Sequence, residues 1–167
     1  MFLTPHPEAR TVALESIDAT VGKEGDTVNF RFLLEGTERL VLPDPAEPGR
    51  DDGLWRTTCF EAFVALDGTA YLEFNFSPSG KWAAYHFDAP RQAMRDQYSE
   101  IEVRLDGGDN WIAVEAAIRG VTLVSGAALN LTAVIEEQGT KSFWAIAHPA
   151  GPPDFHDPTC FRARLPE

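Results

Sequence analysis

Along most of the chain, short runs of alternating apolar and polar side chains are each closed by a cluster of Gly, Pro, Asp, Asn or Ser. A period of two is that of a strand with one face on a core and one face free, and such clusters are the residues that turn the backbone. Eleven runs fit, at residues 11–21, 27–35, 39–42, 57–66, 70–77, 82–88, 99–106, 111–119, 127–137, 141–148 and 159–164. Between them lie turns such as Lys23-Glu24-Gly25-Asp26, Asp67-Gly68-Thr69, Ser77-Pro78-Ser79-Gly80 and Gly107-Gly108-Asp109-Asn110. An all-β, antiparallel protein is expected, with its strands in two packed sheets or a barrel. At most one short helix is expected, and only residues 89–98 could hold it, since Pro90 can start one and good helix formers follow.

The 167 residues suit one domain, 1–167, large enough to fold without a disulfide or metal staple. The longest uninterrupted apolar stretches, 62–66 and 143–147, fall far short of the ~20 residues of a membrane helix. With 14 Lys and Arg against 26 Asp and Glu, the net charge of −12 repels phosphate backbones and anionic bilayers, so nucleic acid and membrane are excluded as partners. The first residues have neither a basic start nor an apolar run, which reads as cytoplasmic, with a processed periplasmic form left open. Cys59 and Cys160 are read as free thiols in that setting.

The segment from Trp55 to Asp88 says most about function. In 57–66, Phe60, Ala62, Val64 and Leu66 share one face and Cys59, Glu61, Phe63 and Ala65 the other. In 70–77 the faces are Leu72, Phe74 and Phe76 against Tyr71, Glu73, Asn75 and Ser77. A two-residue Asp-Gly turn would set Ala62 opposite Glu73 and mix core with solvent. A three-residue Asp67-Gly68-Thr69 loop pairs Phe60 with Phe76, Ala62 with Phe74 and Val64 with Leu72, and puts Glu61 beside Asn75. For 82–88 the expected core face is Ala83, Tyr85 and Phe87, leaving Trp82, Ala84 and His86 outside. One sheet would then present Cys59, Glu61, Glu73, Asn75, Trp82 and His86 together. A solvated sheet face needs no ligand, but flat aromatics beside carboxylate and amide groups suit a sugar, which stacks its C–H face and hydrogen-bonds its hydroxyls. The Pro- and Asp-rich stretches 43–55 and 149–158 are the loops expected to serve such a site.

The runs Leu54-Trp55-Arg56-Thr57-Thr58-Cys59-Phe60-Glu61-Ala62-Phe63 and Tyr71-Leu72-Glu73-Phe74-Asn75-Phe76-Ser77-Pro78-Ser79-Gly80-Lys81-Trp82 resemble the bacterial DOMON-like proteins, relatives of the family 9 carbohydrate-binding modules. The likeness continues through Ala84-Tyr85-His86-Phe87-Asp88 and Phe143-Trp144-Ala145-Ile146-Ala147-His148-Pro149 to Pro153-Asp154-Phe155-His156. It implies a β-sandwich of about ten strands and a sugar clamped between tryptophans. Trp55, six residues before Glu61, resembles the first clamp residue with its carboxylate, and Trp144 resembles the second. The arginine and amides that complete the family's site have no clear counterpart, and Lys141, Asn75 or Arg56 would substitute. Some DOMON relatives bind haem through Met and His; Met94 has no fixed spacing to a histidine, which makes haem the weakest ligand reading.

The expected function is a non-catalytic module holding a carbohydrate or sugar-like small molecule, without cofactor. Trp55 and Trp144 are its walls, Glu61 and Asn75 its hydroxyl partners, and Arg56, Glu73, Trp82, His86 and Lys141 its rim. One alternative is a small acid–base enzyme on Glu61 and Glu73, with Cys59 or His86. Another is an interaction module, meeting a protein partner or a second copy through Trp55, Trp82 and Phe63. The histidines and cysteines show no CxxC, HxH or HExxH spacing, so no metal site is expected.

Overall fold

The computed structural model describes Met1–Glu167 and realises the alternation as strands, with no α-helix. In chain order they are β1 (Phe2–Pro5), β2 (Ser16–Glu24), β3 (Thr27–Glu35), β4 (Gly49–Arg50), β5 (Cys59–Ala65), β6 (Tyr71–Phe76) and β7 (Lys81–Phe87). There follow β8 (Arg95–Asp96), β9 (Glu100–Gly107), β10 (Trp111–Arg119), β11 (Ala128–Glu137), β12 (Thr140–Ala145) and β13 (Ala163–Arg164). Leu54–Arg56 and Pro158–Cys160 form single 3₁₀ turns. The strands pair in one path, β4-β7-β6-β5-β11-β12-β1-β2-β3-β10-β9, and every pairing is antiparallel except β4 with β7.

β1 joins the two arms of this path. Phe2 and Leu3 pair with β2, while Thr4 and Pro5 pair with β12. The arms close over one core, in which Phe30 packs on Phe76 at 5.7 Å and Phe32 on Phe60 at 5.0 Å between ring centroids. The hairpin of β5 and β6 has the register of the three-residue loop: Phe60 lies opposite Phe76, Ala62 opposite Phe74, Val64 opposite Leu72 and Glu61 opposite Asn75. Gly68 supplies the left-handed backbone at φ 69° that closes it.

Residues 89–98, the one place where the sequence allows a short helix, hold none: Arg91 and Ala93 sit at φ 56° and 53°, and the chain then adds the short strand β8 to β7. Several expectations are corrected. Residues 39–42 contribute only the bridge of Leu40 to Glu137, and 159–164 reduce to a 3₁₀ turn and β13. The face assigned to 82–88 is inverted. The loop 78–80 pairs Phe76 with Trp82 and Phe74 with Ala84, which turns Trp82, Ala84 and His86 toward the face of the main core. Ala83, Tyr85 and Phe87 instead join Phe63 and Tyr71 in a second cluster on the opposite face. Both faces of β5, β6 and β7 are therefore covered, and apolarity alone does not tell them apart.

Glu137 holds the chain entering β2. Its buried carboxylate accepts the backbone N–H groups of Val12 at 2.9 Å, Ala13 at 2.7 Å and Leu14 at 2.9 Å. Glu137→Ala strands three donors at once, and urea unfolding is expected to show a loss of about 3 kcal/mol. A loss below ~0.5 kcal/mol, the range of an ordinary surface change, would contradict this role.

Candidate functional site

On the outer face of β5, β6, β7, β11 and β12 the register lays side chains in rows across the strands. One row runs Asn75, Glu61, Thr132, and the next runs Tyr85, Glu73, Phe63, Asn130. Glu61 and Glu73 are thus diagonal neighbours on adjacent strands, both pointing outward from the core. They form the floor of a cavity of about 530 Å³. Tyr85, Phe87, Val134 and Phe143 rise from the strands around them. Trp55 from the first 3₁₀ turn, Arg91 and Met94 after β7, and Pro153, Phe155 and His156 from the late loop complete the walls. Both Pro-rich stretches singled out in the sequence reach the site.

The floor is the unusual part. Glu61 and Glu73 are only 4% and 6% exposed, and each is anchored through one oxygen by a neutral donor. The Thr132 hydroxyl donates to Glu61 Oε2 at 3.2 Å, and Asn75 Nδ2 donates to Glu73 Oε1 at 2.7 Å. The buried Cys59 thiol lies within reach of Asn75 Oδ1 at 3.7 Å and of the Phe60 and Phe76 carbonyls at 3.6 Å. Burial, reinforced by the neighbouring Glu73, pushes the Glu61 carboxyl well above the ordinary range despite the Thr132 hydrogen bond. Burial likewise lifts Glu73 to about 7, against the opposing pull of Asn75 and Arg91. The Cys59 thiol is pushed up by burial and by both glutamates, the opposite of an activated nucleophile.

A latch joins the two loops over the cavity. The Arg91 guanidinium donates to Asp154 Oδ2 at 2.7 Å, and the Arg91 backbone N–H donates to the Tyr71 oxygen at 3.2 Å. The Tyr71 hydroxyl and His156 Nδ1 share a hydrogen bond of 2.7 Å. His156 Nε2 lies 3.9 Å from Glu73 Oε2. Burial, aided by the Arg91 charge, brings His156 down to about 4, so it is neutral at pH 7. Burial also pulls the Asp154 carboxyl upward, but the Arg91 hydrogen bond, the His156 N–H and the Arg91 charge together hold it below its usual value. On the other side the Tyr85 hydroxyl donates to Asp52 Oδ1 at 2.5 Å, and Arg50 grips the same carboxylate.

The expected site residues divide accordingly. Trp55, Glu61 and Glu73 meet in the cavity, and Asn75 lies beneath it as the brace of Glu73. Trp144 is no wall: it is 3% exposed in the main core, donating to Ser142 Oγ, and its neighbour Phe143 is the residue that faces the cavity. Trp82 and His86 stand on the reverse face of β7, with Arg95 and Asp88 around the imidazole, which separates His86 from Cys59. Arg56 and Lys141 are exposed and outside the cavity; the Lys141 ammonium donates to the Arg56 carbonyl and so pins the turn that carries Trp55. Sequence reasoning missed Tyr85, Phe87, Phe143, Phe155, His156 and Arg91. The aromatic pair Phe155-His156 in a Pro-rich loop was the one local signal for any of them.

No family model matches the chain, and no curated protein matches it. Among solved structures it is similar to a crystal structure from Bacteroides uniformis ATCC 8492 described as a candidate carbohydrate-binding protein. The TM-score is 0.61 at 13% identity, over 87% of this chain and 75% of that one. At this identity the likeness is one of fold.

The floor has a measurable consequence. Both carboxyls hold a proton more tightly folded than unfolded, so the native state binds the extra protons and their burial costs least below pH 4.5. Stability contributed by this pair is lost as pH rises through about 7. Against wild type, Glu61→Gln with Glu73→Gln is expected to gain on the order of 2 kcal/mol between pH 4.5 and about 7.5 in urea titrations. Parallel stability curves for the two proteins would contradict the assignment.

Proposed function

We propose that the protein is a non-catalytic binding module whose fold is a β-sandwich of the family 9 carbohydrate-binding type, and that its ligand is a sugar or sugar-like small molecule. The observation that carries this reading is the cavity itself: an open, largely aromatic recess with two deeply buried carboxyls at its floor. Apolar walls with a few convergent polar groups are the usual composition of a small-molecule site. The Trp55 indole, 42% exposed and set edge-on to Tyr85 at 6.5 Å, is free to stack on the C–H face of a ring. Glu61 and Glu73 are then the hydroxyl partners, with His156 Nε2 and Arg91 beside them. A solved structure of similar fold described as a candidate carbohydrate-binding protein supports the same class of ligand.

A second reading, an acid–base enzyme on Glu61 and Glu73, is favoured by one observation, the upward displacement of both carboxyls by burial, which brings Glu73 to about 7. Both groups rise from one floor and not from opposite walls, which suits holding a ligand better than attacking it from two sides.

Titration of a mono- and oligosaccharide panel, followed by tryptophan fluorescence, tests the module. Trp55→Ala is expected to weaken the binding of a panel member roughly tenfold through the lost stacking, with the melting temperature unchanged because the residue is half-exposed. No binding by wild type across the panel would remove the carbohydrate reading. Turnover of a glycoside by wild type, lost in Glu61→Gln, would replace it with the enzyme.

A further inference from the structure

We infer that the ligand carries a primary ammonium group on a ring of sugar size, an amino sugar, and seats that group on the floor between Glu61 and Glu73. The inference deepens the proposed binding site and rests on it for the location, but the charge of the ligand follows from separate observations.

The first is the hydrogen-bond ledger of the floor. Glu61 and Glu73 are each anchored through one oxygen, and neither Glu61 Oε1 nor Glu73 Oε2 accepts a hydrogen bond from the chain. Both residues are more than nine-tenths buried and both line the cavity, so those two oxygens aim at whatever it holds. Buried carboxylates are ordinarily paired with a cation or fully hydrogen-bonded.

The second is that no cation of the chain is hydrogen-bonded to them. Each element packed around the pair accounts for its own charged or titratable groups. β5 brings the Cys59 thiol, β6 the Tyr71 phenol hydrogen-bonded to His156, and β7 the Tyr85 phenol that donates to Asp52. The segment after β7 brings Arg91, engaged by Asp154 of the late loop, and that loop adds only the neutral His156. β11 offers Thr132 and Val134; β12 brings Phe143 and, on the same face, Lys141, whose ammonium is held by the Arg56 carbonyl of the first 3₁₀ turn, and Lys141 and Arg56 are both exposed and outside the cavity. Arg91 is engaged by Asp154, so no cation of the chain is hydrogen-bonded to either glutamate, and the negative charge the floor takes up on ionising is left for the ligand to meet.

The third is the nature of the walls. Trp55, Tyr85, Phe87, Phe143 and Phe155 present ring surface, which attracts a cation and also packs the carbon skeleton that bears it. No group of three His, Cys, Asp or Glu side chains is arranged to hold a metal ion. An ammonium needs no such set: its three N–H donors match the two free carboxylate oxygens, leaving one for a water or a hydroxyl.

The test uses the full chain at pH 7 with glucosamine, N-acetylglucosamine, glucose and cyclohexylamine, measured by calorimetry. Glucosamine is expected to bind at least about tenfold tighter than the two neutral sugars, the scale of one charge-assisted hydrogen bond. The preference should vanish in Glu61→Gln/Glu73→Gln, whose melting temperature checks its folding. In wild type, glucosamine affinity should rise from pH 5 to 7 as the floor ionises, with no matching rise for N-acetylglucosamine. Equal affinities for the three sugars would overturn the ammonium and keep the sugar site. Binding of cyclohexylamine with no sugar would keep the ammonium and overturn the carbohydrate. A glucosamine preference that survives the double variant would place the cation elsewhere and overturn the inference, as would no binding by any of the four.

Discussion

A slip of one residue between β5 and β6 would carry Phe60, Ala62 and Val64 out of the core and drive Glu61 into it. The loop of Asp67, Gly68 and Thr69 prevents this, because its length fixes which residues face each other and Gly68 alone takes the left-handed turn at no steric cost. From that register follows everything on the outer face. β11 then sets Thr132 opposite Glu61, β7 sets Tyr85 opposite Glu73, and Val134 of β11 sets Phe143 of β12 at the cavity's far wall. The hairpin thus serves two surfaces at once, with the phenylalanines that meet Phe30 and Phe32 on one side and the carboxyl floor on the other.

The floor is costly for the folded chain, and its surroundings are built to hold it in place without neutralising it. Thr132 and Asn75 are neutral donors, and the Arg91 guanidinium in the cavity wall is engaged by Asp154. Arg91 is kept in the left-handed region by that ion pair and by the Tyr71 oxygen, so the strain of the segment after β7 is offset by contacts to a loop more than sixty residues away in sequence. Two carboxyls raised above their ordinary range by burial, a neutral imidazole and an aromatic enclosure make the site sensitive to the charge of what enters it.

The hairpin was legible in the sequence because its two faces differ so sharply that only one loop length keeps them apart. Trp55 and Glu61 were legible for a related reason, a large aromatic and a carboxyl near a strand that otherwise reads as core. β7 was not, since Trp82, Ala84 and His86 balance Ala83, Tyr85 and Phe87 in apolar character, and a cavity lined with rings needs the same residues as a core. Trp144 and Phe143 were exchanged for the same reason. The segment 89–98 has helix-forming residues, but tertiary partners of Arg91 overrule local propensity. β1 depends on pairing with two distant strands and left no period to read.

A buried carboxyl pair, hydrogen-bonded by neutral donors and by no cation of the chain, forms the floor of the cavity. Carbon-13 NMR titration of the glutamate side-chain carboxyls in the wild-type chain tests it most directly. The account predicts two coupled steps belonging to Glu61 and Glu73, both above the ordinary value of 4.5, with one reaching about 7. Titration of both carboxyls in the ordinary range would mean that the floor is solvated or paired, and would contradict it.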